Sequence, residues 1–295
     1  MSRYINPFTD IGFKRIFGHE FSKPLLLDFL NNLLKGERLI TNITFLDKEQ
    51  PGIYDEDRSL IYDILCETDT KEKIIVEMQN REHPNFKERM IYYASEAISR
   101  QGERGVQWKY EIKAVYLIAF TNFILEDDNQ EFRVDIGLYN AQTWKLFSDK
   151  MRIIFLQLPY FTKEVDDCKT DFERWIFVLK HMETLDRLPW AAKNSVFQKL
   201  AEIAEVSALS KEERIQYDHA LKKYRDTLLV IEGAEARAEA RGEARGEARG
   251  EARGEAKGRR LEKMDNARNL KSNGVPTEII ANSLGLTEEE VEEIQ

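Results

Sequence analysis

The order of sequence patterns predicts a mixed α/β (α+β) domain with a helical C-terminal half. Three observations lead there. Short apolar runs with strand character lie at Ile40 to Leu46, Ser59 to Glu67, Lys73 to Gln79 and Lys113 to Phe120. A segment with helical period, Asn85 to Arg100, separates the third run from the fourth. From Asp171 to about Ile231 the pattern is helical throughout.

The elements follow in order. FTDIGFKRIFG places Phe8, Ile11, Phe13, Ile16 and Phe17 at helical spacing, and Gly18 is a stop. Ser22-Lys23-Pro24 reads as a helix start with Pro24 at the first helical position, and the helix runs to Gly36. In Asn85 to Arg100, the residues Phe86, Met90, Tyr93, Ala94 and Ala97 share one face. Lys113 to Phe120 is continuously apolar, which predicts a central strand. Phe132 to Tyr139 and Arg152 to Leu158 read as further strands.

Composition divides the chain into a globular region 1–232, a tandem EARG repeat 233–260 and a helical tail 261–295. A four-residue period advances a helix by about 400°, so glutamates stack on glutamates and arginines on arginines. Each glycine costs roughly 1 kcal/mol against alanine. The repeat therefore reads as a marginal helix or flexible tether. The tail has a helix-turn-helix outline: Leu261 to Lys271, a stop at Asn273-Gly274, a second helix from Pro276, and a third capped by Thr287 with Glu290. That last helix carries five glutamates, which phosphates would repel, so packing or homo-oligomer contact is its expected role.

The formal charge of −9 and pI near 5.3 exclude binding to DNA by overall charge and leave room for a local basic groove. Cys66 and Cys168 are two and far apart, so no disulfide framework is implied and a reducing cytoplasm fits. No apolar run is long enough for a membrane helix, and no membrane association is expected. The four histidines lack zinc spacing, and no GxxxxGK[ST] phosphate loop occurs.

One strand is chemically unusual. IIVEMQN carries Glu77 and Gln79 on one face of an otherwise apolar run. Upstream lies SLIYDILCETD, joined through the polar TDTKEK, and the two read as an antiparallel hairpin. Pairing Asp63 with Glu77 centres the turn on Thr70 and brings the carboxylates onto one face, roughly 5 Å apart at Cβ. Two bare buried carboxylates repel, unless a proton or metal lies between them. The structural alternative is an edge position for Asp63 and pairing of Glu77 with Arg81 or Arg89.

NPFTDIGFKRIFG, LLLDFLNNLL, the Asp63 strand, VEMQ and ERMIYYASEAISRQ together resemble the Rpn family of recombination-promoting nucleases, also described as transposases, within the PD-(D/E)XK superfamily. The likeness covers about residues 1–230 and implies a restriction-endonuclease-like αβββαβ core. It implies that Asp63 is the motif aspartate, that Glu77 is its second acid and that the Met78 backbone carbonyl completes a Mg²⁺ site. Gln79 stands at the lysine position, a departure that removes a cation, although active members of the superfamily carry glutamine there. Tyr62 stands where the motif has proline. Asp10 matches an acid some members carry on the first core helix, or is a helix N-terminal charge favoured by the dipole. Lys14, one turn on, is a phosphate contact or a solvated lysine. Arg89 and Tyr93 face the end of VEMQ in this topology, to hold the scissile phosphate or orient Gln79; the alternative is an amphipathic helix with Arg89 paired to Glu77 or Glu96.

The expected activity is Mg²⁺-dependent hydrolysis of DNA phosphodiesters in recombination. The competing expectation is a catalytically silent relative that binds DNA or protein. A transposase of the three-carboxylate type is a weaker fit, since it needs a third acid on a different fold.

Overall fold

The computed structural model describes residues 2–50, 60–102, 108–125 and 130–294. The chain divides into two compact units, Met1–Thr227 and Leu228–Gln295.

The first unit is built on a six-stranded mixed sheet of order β1-β4-β5-β6-β8-β7. Its strands are β1 (Ile43–Phe45), β4 (Ile64–Thr68), β5 (Lys73–Gln79), β6 (Val115–Thr121), β7 (Arg133–Tyr139) and β8 (Leu146–Gln157). β2 (Glu49–Gln50) and β3 (Leu60–Ile61) form a separate two-stranded ribbon. β4 and β5 pair antiparallel, while β5–β6 and β6–β8 are parallel. The parallel crossover from β5 to β6 contains α3 (Phe86–Ser99), because parallel neighbours cannot be joined by a tight turn. β6 is buried along its whole length, as expected of its apolar sequence.

Strand alternation sends successive side chains of β5 to two cores. Ile75 joins Met90 and Ala94 of α3 on one face. Ile74 and Val76 join the larger core on the other face, with α1 (Asp10–Phe17), α2 (Lys23–Leu33), α4 (Asp171–His181) and α5 (Ser195–Ala204). The centre of the larger core is aromatic. Phe29 lies 5.3 Å from Phe17, 5.4 Å from Phe120 and 6.0 Å from Trp175, centroid to centroid. Such pairs add to area burial. The Trp175 indole N–H donates to Asp28 Oδ2 at 2.7 Å, which satisfies the one polar atom of that ring.

The N-terminal motif is held by its own polar atoms. Ile5 N–H donates to the Ala204 carbonyl at 2.8 Å, and Asn6 N–H to the Tyr217 hydroxyl at 2.8 Å. Asn6 Oδ1 accepts from Phe8 N–H, and Thr9 Oγ1 caps α1 by accepting from Gly12 N–H at 3.0 Å. A Cβ on Gly12 would overlap the Asn6 carbonyl oxygen, so this turn admits only glycine there.

Several boundaries differ from the sequence expectation. The expected strand Ser59 to Glu67 is two pieces, β3 and β4, with Ser59 outside the described residues. The expected strand at Arg152 begins at Leu146, and Ile40 to Leu46 shortens to Ile43–Phe45. Pro24 takes the second helical position, since Ser22 is the N-cap. The helical half is interrupted after His181 and after Ala204. Residues 233–260 lie inside one helix, α6 (Lys211–Ser272), so the expected helix Leu261 to Lys271 is not separate.

In the second unit the end of α6 packs with α7 (Thr277–Leu284) and α8 (Glu288–Glu292) around Ala267, Ile280 and Val291. The expected capping box of Thr287 and Glu290 is present, and Lys271 Nζ donates to the Val291, Glu292 and Ile294 carbonyls at 2.8–3.1 Å. Cys66 and Cys168 are buried free thiols. Among the described residues no helix is long and apolar enough to cross a membrane.

The aromatic cluster sets one expectation. Phe29→Ala leaves a cavity among the rings of Phe17, Phe120, Phe172 and Trp175 and should cost about 3–5 kcal/mol. Thermal denaturation should show a fall in Tm on the order of 10 °C.

Candidate active site

The site forms where a hairpin opens. The β4–β5 register pairs Ile64 with Val76, Leu65 with Ile75, Cys66 with Ile74 and Glu67 with Lys73. This is the register centred on Thr70. Its next rungs would set Asp63 against Glu77 and Tyr62 against Met78. The ladder stops there, because Tyr62 N–H turns to the Lys48 carbonyl at 3.0 Å. Met78 N–H therefore lacks a backbone acceptor on β4, and Asp63 Oδ2 accepts it instead at 2.9 Å. Reciprocally, Asp63 N–H donates to Glu77 Oε1 at 3.1 Å. The N–H and C=O of a strand residue point the same way, so the Met78 carbonyl also faces the open fork.

Gln79 completes the row. Its Nε2 donates to Glu77 Oε2 at 3.2 Å, and its backbone carbonyl accepts from Asn122 N–H at 2.9 Å. Glu77 is 3% exposed, which is unusual for a carboxylate without a cation beside it. Neither Asp63 nor Glu77 has an ion pair among the described residues. The expectation that Glu77 pairs with Arg81 or Arg89 is thus not met. Burial first, and then the neighbouring Asp63 charge, push the Glu77 carboxyl up to about 8. Burial likewise raises Asp63, against the downward pull of its Met78 hydrogen bond. Lys14 and Arg89 lower Asp63 electrostatically and Asp10 raises it, so α1 and α3 both face this carboxylate.

The remaining expected residues are distributed as follows. Arg89 sits in the first turn of α3, with its guanidinium 5.8 Å from the Phe86 ring centroid and 5.7 Å from that of Tyr93. Its Nε is buried and makes no hydrogen bond. It does not pair with Glu96, which binds Arg100. Tyr93 packs edge-on against Tyr62 at 5.2 Å, and burial, then Glu77, raise its phenol. Lys14 is ion-paired to Asp10 one turn away on α1. Asp10 is not gathered to the acid pair: among the described residues no three Asp, Glu, His or Cys side chains converge as a metal group. Asn80 is a residue the sequence does not single out. Its Nδ2 donates to the Phe8 carbonyl at 2.7 Å, while its buried Oδ1 has no partner among the described residues. An amide directly after VEMQ was the available signal.

A mixed sheet with a forked acid hairpin and a helix crossover is consistent with the PD-(D/E)XK nuclease fold. The chain belongs to that superfamily's transposase branch: the family model described as PD-(D/E)XK nuclease family transposase matches residues 7–234. No curated protein and no solved structure gives a significant match to the chain.

The raised Glu77 carboxyl sets the sign of a pH effect. Its folded-state value lies above its ordinary one, so the contribution of Glu77 to the stability of the metal-free fold is fully present below about pH 4.5 and is lost as pH rises from there through about 8. Glu77→Gln keeps an acceptor for Asp63 N–H and removes the charge. Its Tm at pH 8.5 should exceed that of the parent by several degrees, on the order of 5 °C. At pH 4 the two should nearly coincide.

Proposed function

We propose that the chain is a divalent-metal-dependent endonuclease that hydrolyses DNA phosphodiesters, of the recombination-promoting type. The observation that carries this reading is the forked hairpin. It holds two carboxylates, Glu77 buried and Asp63 partly buried, together with a backbone carbonyl and no paired cation among the described residues. The donor set suits a hard cation such as Mg²⁺, which prefers oxygen ligands. Asp63, Glu77 and the Met78 carbonyl would hold it, and family membership supports the same assignment. Asp10 is left out of the ligand set because Lys14 engages it.

A bound divalent ion lowers the pKa of a coordinated water and neutralises charge on the phosphate under attack. The chain's own residues supply the rest. Gln79, bonded to Glu77, presents an amide that orients water without adding charge. Arg89, without a carboxylate partner among the described residues, is available to bind the scissile phosphate. Tyr62 and Phe86, packed on Tyr93 and Arg89, fix these groups on α3. Lys14 stands on the α1 side of Asp63, paired to Asp10, and so removes that acid's repulsion of incoming DNA.

The second reading is a relative that binds DNA without cutting it. It draws support from Gln79, whose amide is occupied by Glu77 and cannot replace a lysine charge.

Plasmid nicking separates the two. The parent should nick supercoiled DNA with Mg²⁺ and not with EDTA. Asp63→Ala should lose on the order of 100-fold or more in rate while keeping a cooperative melt. An Asp63→Ala protein of full activity would refute the assignment. Because the ion must displace the Glu77 proton, the rise in Tm on adding Mg²⁺ should be larger at pH 8.5 than at pH 6.

A further inference from the structure

On the α1 face, one residue beyond Gln79, lies a cleft of about 200 Å³. It is lined by Phe8, Asp10, Asn80, Ala220, Lys223 and Tyr224, among others. This is below the roughly 300 Å³ of a drug-sized pocket and suits a single small heterocycle. Its chemistry is mixed in a particular way. Phe8 and Tyr224 are aromatic neighbours, with centroids 6.5 Å apart and planes tilted by 31°. Asn80 is fixed by its Nδ2 bond to the Phe8 carbonyl, which leaves Oδ1 as a buried acceptor without a donor among the described residues. Such an atom is costly unless something donates to it. Lys223 is exposed and makes no ion pair among the described residues. Asp10, the one acid lining the cleft among the described residues, is neutralised by Lys14.

We propose that this cleft receives one unstacked base of the DNA strand beside the scissile phosphate. The proposal rests on the DNA-substrate reading above and names how that substrate is gripped. The aromatic wall of Phe8 and Tyr224 packs against the base, since every base offers a π-face. An N–H of the base edge donates to Asn80 Oδ1. Lys223 takes the neighbouring phosphate as a point charge. Asn80 follows Gln79 directly, so a base seated here places its own phosphate at the end of β5. Arg89 approaches the acid pair from the other face of the sheet, and the strand would run between them.

The test uses the full chain carrying Glu77→Gln, so that DNA is bound and not cut. Affinity is measured by fluorescence anisotropy for a labelled single-stranded oligodeoxynucleotide and for an abasic oligomer of the same length. The oligomer with bases should bind roughly tenfold tighter, equivalent to about 1.4 kcal/mol. Ala220→Phe, which fills the cleft, should remove that preference. Lys223→Ala should weaken both oligomers about equally and lower the salt slope by about one unit. Preference for bases that survives a folded Ala220→Phe protein overturns the proposal, as does its absence from the start. Should Ala220→Phe fail to fold, the exposed Lys223→Ala decides, and unchanged affinity sinks it. Plasmid nicking by the parent is read in parallel. Nicking without base preference removes the cleft and leaves the nuclease. Base preference that plugging abolishes, without nicking, keeps the cleft and removes the nuclease.

Discussion

The hairpin between β4 and β5 would be an ordinary antiparallel ladder if Tyr62 continued it. Tyr62 instead sends its N–H to Lys48 and starts the separate ribbon of β2 and β3. A buried backbone N–H must find a partner, and the one orphaned on Met78 finds the Asp63 carboxylate. That single substitution of a side chain for a strand draws an acid into the sheet and turns it toward Glu77. The remaining features of the site depend on it. The Met78 carbonyl faces the opening only because no strand closes over it, and Gln79 reaches Glu77 from the next rung.

The electrostatic consequence is an acid pair that the fold does not neutralise. Glu67, four residues along β4, shows the contrast: Lys71 and Lys73 both bind it, and their hydrogen bonds hold its carboxyl below the ordinary value. Asp63 and Glu77 bind no lysine among the described residues, and burial raises both. Arg89 is close enough to act on them through space, but lies over aromatic rings and keeps Nε free. Two opposite charges left apart in a partly buried region are a poor arrangement for stability alone. Under the proposed function a cation and a phosphate complete them.

The aromatic core serves the same geometry from below. Phe13, Phe17 and Phe29 of the first two helices pack on Phe120 of the central strand, so α1 is seated directly against β6. The Asn6–Thr9–Gly12 turn then fixes where α1 begins. This brings Asp10 and Lys14 near enough to act electrostatically on Asp63 and aligns Phe8 with Asn80 at the end of β5. The N-terminal motif and the VEMQ strand, 60 or so residues apart in the chain, are parts of one surface.

The sequence by itself determined what depends on local pattern. Period-2 spacing of Asp63, Glu77 and Gln79 about a polar turn set the β4–β5 register, and continuous apolarity put β6 at the centre. Thr287 and Glu290 three apart set the last helix cap. Tertiary structure decided what depends on competition between distant partners. Whether Tyr62 extends β4 is settled by Lys48, a residue whose claim on that N–H has no signature in either segment. Whether Arg89 binds Glu77 or Glu96 is settled by packing against Phe86 and Tyr93 and by Arg100 taking Glu96. The EARG residues carry no buried face to mark an end, so only the three-dimensional course of α6 through Ser272 joined them to the helices on either side.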